Sequence, residues 1–109
     1  MGDLDMRMVL TAAAIAFASP AMAYDVARSE ALKDDMAIAA VCLERFGDRD
    51  LFETIYAEFA SVEAENPSPT VATEMAGFRD GVQIGAKLAG RDLISDDALT
   101  FACNELRSR

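Results

Sequence analysis

The chain has 109 residues, 52% of them apolar and 27% charged, with a formal net charge of −9. Its length fits one domain, and its apolar fraction argues against a disordered chain. His and Trp are absent and Cys occurs twice, which removes Ser–His and Cys–His catalysis, His-ligated zinc, C-x-x-C-H haem attachment and the di-iron Glu-x-x-His motif. The acidic balance also repels nucleic acid and anionic membrane surfaces, so neither is expected as a partner.

Residues 8–23 (MVLTAAAIAFASPAMA) carry no charge. Pro20 interrupts the run, and Ala21-Met22-Ala23 places small residues where a signal peptidase reads them. A secretory signal peptide over residues 1–23, cut between Ala23 and Tyr24, is expected. The 16 uncharged residues fall short of the roughly 20 a membrane-spanning helix needs, so no stable anchor is expected after cleavage. Asp3 and Asp5 offset Arg7 and the α-amine, whereas a start at Met6 leaves a positive leader; translation is therefore expected to start at Met6, with residues 1–5 a mis-called extension. Removing residues 1–23 leaves 86 residues with 9 basic and 17 acidic side chains, a net charge of −8. A single α-helical domain is expected over residues 24–109, and one this small is marginal without a staple.

The first helix is predicted over residues 26–46, with Asp25 or Ser29 as N-cap. Leu32, Met36, Ala39, Leu43 and Phe46 recur at steps of four and three, and Ile38, Val41 and Cys42 flank that stripe. Gly47 is a natural stop. Asp48 or Asp50 can cap the second helix, with Glu53 placed to close a capping box on Asp50. Its apolar row is Leu51, Ile55, Phe59 and Val62, with Phe52 and Tyr56 alongside; Glu53, Glu58, Glu63 and Glu65 are expected off the row. Asn66-Pro67-Ser68-Pro69 ends it.

The third helix begins at Ser68 or Thr70 and runs to about residue 89, before Gly90. Val71, Met75, Phe78 and Val82 form its apolar row, joined by Ile84 and Leu88. Gly77, Gly81 and Gly85 recur at steps of four, continued by Ala89. Each mid-helix glycine costs about 0.8–1 kcal/mol relative to Ala. A face stripped of side chains suits a closely passing helix backbone. The expected neighbour is the first or the fourth helix of the same chain, ahead of a partner protein or a second copy; a break of the helix over residues 77–85 is the remaining alternative. The fourth helix, residues 96–107, has Ser95 as N-cap, Asp96 and Asp97 in its first turn, Leu99, Ala102 or Cys103, and Leu106 inward, and Arg107 and Arg109 at its C-terminal end.

Cys42 and Cys103 are the only cysteines. Their spacing matches neither C-x-x-C nor a zinc pattern, and in an exported chain a pair of cysteines implies a disulfide. Closing a loop of this length stabilises a fold by about 4 kcal/mol in the chain-entropy model. The fold class expected is all-α: a small bundle of three longer helices and one short C-terminal helix, with one disulfide, after a cleaved signal peptide.

Carboxylates are the only abundant reactive groups. Glu44, Asp48, Asp50 and Glu53 gather at one turn, and Asp92, Asp96 and Asp97 at another, both at helix starts where capping accounts for them. Asp48-x-Asp50 resembles the opening of an EF-hand loop but lacks its Gly and closing Glu. The glycine-rich stretch 77–90 follows no strand and has no G-x-x-x-x-G-K-[ST] order. No catalytic residue, cofactor or metal is therefore expected, and the chain does not read as an enzyme.

The leading expectation is a periplasmic or secreted protein-interaction module of inhibitor, immunity or adaptor type, whose partner is another envelope protein or a second copy of itself. Two other roles fit the composition. One is an acid-stress chaperone, whose carboxylates protonate at low pH. The other is a carrier with an apolar pocket lined by Phe46, Phe59, Met75 and Phe78.

Overall fold

The computed structural model describes residues 24–90 and 93–109; the signal peptide expected over residues 1–23, and Asp92, lie outside them. Asp25, with extended backbone, accepts a hydrogen bond from the Arg28 amide at 2.9 Å and starts α1, Val26–Phe46. Gly47, at φ 67°, ends α1 in the left-handed conformation open to glycine. Its amide donates to the Leu43 carbonyl at 2.9 Å. Asp48 then caps α2, Arg49–Glu63, accepting from the Leu51 amide. With the cap at Asp48, Glu53 closes no box on Asp50 and instead faces α3.

The Asn66–Pro69 break is tied by the Ser68 amide donating to the Asn66 side chain at 2.9 Å. Beyond it α3, Val71–Leu88, runs without interruption through Gly77, Gly81 and Gly85, so the helix break is ruled out. Ser95 accepts from the Ala98 amide and opens α4, Asp96–Arg107, with Asp96 and Asp97 in the positive first turn. The described residues form four helices and no strand.

Three helices pack on α1. Contacts between their ends give the directions. Arg28 near the start of α1 pairs with Glu58 late in α2, so the two are antiparallel. Arg79 of α3 meets Glu53 of α2, Phe78 meets Phe59, and Lys33 lies over the Phe78 ring, which places α3 antiparallel to α2 and beside α1. Arg45 at the end of α1 donates to the Ile94 carbonyl at 2.9 Å and to Asp96 at 3.2 Å, so α4 starts where α1 finishes and runs back along it. The Cys42–Cys103 disulfide locks that pairing, with Cα atoms 6.1 Å apart.

The core holds Leu32, Met36, Ala39, Ala40 and Cys42 from α1, Leu51, Phe52, Ile55 and Phe59 from α2, and Leu99, Cys103 and Leu106 from α4. From α3 only Ala86 is fully buried; Met75, Phe78 and Val82 pack against the edge. Several residues depart from the sequence pattern. Phe46, the last residue of α1, stays 44% exposed beside the turn at Gly47, and Ile38 faces out with it. Ile84 and Leu88 lie on the outer side of α3, about half a turn from Val82 and Ala86, so they are exposed.

Breaking the disulfide releases a short helix that contributes three buried side chains. We expect Cys42→Ser/Cys103→Ser, or reduction of the wild type, to lower stability by about 2–5 kcal/mol in urea titrations followed by circular dichroism. An unchanged midpoint would show that packing alone holds α4.

Candidate interaction surfaces

The outer side of α3 is the feature the sequence singled out. Successive glycines at steps of four drift about 40° around a helix, so Gly77, Gly81 and Gly85 form one shallow strip. Ile84 and Leu88 fall within that strip, 58% and 79% exposed. The neighbour expected from α1 or α4 is not there. All three glycines are exposed, and a Cβ at any of them would meet nothing within 4 Å. The reason is rotational: Met75, Phe78, Val82 and Ala86 turn inward, which points the glycine side away from α1. Ala89 leaves the strip, because it terminates the helix in extended conformation and is half-buried.

Three carboxylates of the two acidic turns, Asp48, Glu53 and Asp96, serve local structure. Asp48 caps α2 and also pairs with Arg107. Glu53 receives Arg79 through two hydrogen bonds, 3.1 and 2.7 Å. The Arg79 guanidinium lies 4.5 Å from the Tyr56 ring centre and 5.0 Å from that of Phe52. The hydrogen bond from Arg79 holds the Glu53 carboxyl below its ordinary pKa, against the upward push of desolvation. Asp96 pairs with Arg45. No group of three or more His, Cys, Asp or Glu among the described residues is arranged to hold a metal ion. No helix among them is long and apolar enough to cross a membrane.

Of the residues considered for an apolar carrier pocket, Phe59 is core, Met75 and Phe78 pack against it, and Phe46 lies at the surface. A cleft of about 350 Å³ between α1 and α3 is lined by others, including Leu43, Glu44, Gln83 and Lys87.

One buried carboxylate escaped the sequence pattern. Glu63, at the end of α2, is 5% exposed. Its Oε2 accepts from the Tyr24 hydroxyl and the Ser29 hydroxyl, each at 2.8 Å, and its Oε1 accepts from Asn66 at 2.9 Å. Burial pushes this carboxyl upward, but the hydrogen bonds from Asn66, Ser29 and Tyr24, with the field of Lys33, outweigh it and hold the pKa below the usual value. The residue predicted to follow the signal cleavage, Tyr24, is thereby fastened to the far end of α2.

Comparison with protein-family models, curated proteins and solved structures gave no match, so the functional reading rests on this chain's own surface.

Because the folded-state pKa of Glu63 is depressed, its ionised form stabilises the fold at neutral pH, and that stabilisation is lost as pH falls through the folded value. Glu63→Gln should therefore cost about 1–3 kcal/mol near neutrality. The gap from wild type should narrow in urea titrations as the pH falls below the ordinary carboxylate range. A gap independent of pH would mean that Glu63 acts through shape rather than charge.

Proposed function

We propose that the protein is an exported protein-interaction module of the cell envelope, of inhibitor, immunity or adaptor type, and that the outer face of α3 is where its partner docks. The observation that carries this reading is a stability cost without an internal return. Three glycines in the middle of one helix cost about 2–3 kcal/mol together relative to alanine. The space beside each is open, so the fold itself gains nothing from the missing side chains. A helix or strand of a partner gains close backbone approach, with exposed Ile84 and Leu88 supplying apolar contact. The disulfide supports an oxidising compartment, and the leader sequence supports export.

Gly77→Ala/Gly81→Ala/Gly85→Ala should raise stability by about 2–3 kcal/mol in urea titrations, since no neighbour obstructs the new methyl groups. Gly81→Leu should fold as the wild type does yet lose its partner. The assay is a pull-down of the tagged, oxidised protein from envelope extract, read by mass spectrometry. One near-stoichiometric partner, captured by wild type and lost with Gly81→Leu, is the expected result. Self-association lost in the same variant would make that partner a second copy. A broad set of clients held only in acid, indifferent to Gly81→Leu, would replace this reading with a chaperone.

A further inference from the structure

A second surface, remote from the glycine strip in its chemistry, lies where α1, α2 and the end of α4 converge. It is a groove of about 780 Å³. Ala31, Leu51, Ile55 and Leu106 line it with apolar surface, the last three almost wholly buried. Its acidic groups are Asp35 from α1 and Asp48, Asp50 and Glu58 from the α2 side.

Three arginines cross this groove. Arg28 pairs with Glu58 at 3.0 Å, Arg109 with Asp35 at 2.8 Å, and Arg107 with Asp48. The pairs are unequal. The Asp35 and Asp48 side chains are only 15% exposed, whereas Arg107 and Arg109 are 46% and 62% exposed. Asp48 is further fixed because its second oxygen caps α2. The carboxylates thus belong to the walls, and the two arginines lie over them from the solvent side. Ion pairs this exposed contribute little to stability, so the arginines can be exchanged at small cost. With Arg107 and Arg109 displaced, four carboxylates would face the single cation Arg28 above an apolar floor. Planar guanidinium groups match carboxylates in two-point hydrogen bonding, and a peptide's aliphatic arginine stems suit the floor.

We propose that this groove is a recognition site for an arginine-bearing segment of a partner protein, occupied in the free chain by its own Arg107 and Arg109. The occupant is a basic peptide because the groove already holds that chemistry in two places, and because the net charge of −8 over residues 24–109 draws cationic segments toward it. This site is independent of the α3 face, and either can stand without the other.

The test is isothermal titration of the full oxidised protein with an acetylated tri-arginine peptide at physiological salt, with the tri-citrulline peptide as the uncharged control. The wild type should bind tri-arginine and ignore tri-citrulline. Arg107→Ala/Arg109→Ala should bind tri-arginine roughly tenfold tighter, since the resident competitors are gone. Asp35→Asn/Asp48→Asn should lose at least about tenfold, the asparagine at position 48 still being able to cap α2. Asp34→Asn/Asp97→Asn changes the net charge equally at exposed positions outside the groove and should keep wild-type affinity. Circular dichroism confirms that each variant is folded. Equal losses in the two acidic pairs would reduce the binding to general electrostatics and overturn the site. Unchanged affinity on removing the two arginines would overturn their role as resident occupants, and no binding to either form would overturn the whole proposal.

Discussion

The covalent link between Cys42 and Cys103 fixes more than the stability of the bundle. An isolated helix of 12 residues is marginal in water, and α4 brings three buried side chains to its own support. The disulfide sets α4 against the last third of α1, and Arg45 fastens the segment that leads into it. The Arg45 guanidinium donates to the carbonyls of Gly90 and Ile94 and to Asp96, and its side chain is 6% exposed. Two anchors at the start and middle of α4 determine where its end falls. Arg107 and Arg109 there reach Asp48 and Asp35, beside the groove that α1, α2 and the end of α4 line together.

A single central helix also explains the unequal burial of the others. α1 has a wide inward face, from Ser29 through Cys42, and α2 covers it with large side chains, Phe52 and Phe59 among them. α3 adds mostly half-buried side chains at the edge. It is held there by specific contacts: Arg79 clasped by Glu53 over two aromatic rings, and Phe78 against Phe59 with a centroid distance of 5.6 Å. A helix held along one side by such contacts can leave its other side bare without losing its place.

Much of this architecture was readable in the chain, because helix ends are written in local chemistry. Asp25, Ser95 and Gly47 act through their own side chain or their own backbone freedom, so the limits of α1 and α4 follow from sequence alone. The disulfide was legible for a similar reason, there being no other pairing to make. Rotation about the helix axis was harder to read. Ile84 and Leu88 are apolar and adjoin a plausible row, yet a shift of half a turn from Val82 and Ala86 turns them outward. Glu63 failed in the opposite sense. It lies on the line of Phe52, Tyr56 and Phe59 at helical steps, so its position was visible, but its charge concealed that it was inside. What makes its burial tolerable is Tyr24 and Ser29, 39 and 34 residues away, and no local pattern announces such partners. The groove was illegible on the same ground. Asp48 and Asp50 stood out as a capping cluster, whereas Asp35 and Glu58 join them only through the packing of α1 on α2.

The distribution of charge connects these surfaces. Arg28, Arg45, Arg79, Arg107 and Arg109 each meet a carboxylate within the fold, so the basic side chains are largely engaged and the excess acid is left facing solvent. That excess acts at a distance as a field that favours approach of cationic surfaces and weakens with salt. At contact, the two proposed surfaces ask for different things. The strip along Gly77, Gly81 and Gly85 offers backbone proximity and apolar flanks, so it discriminates by shape. The groove offers fixed carboxylates over an apolar floor, so it discriminates by guanidinium geometry. A basic partner long enough to reach both would be drawn by the same field and then held by two contacts of unlike chemistry, a combination that separates it from proteins that merely carry positive charge.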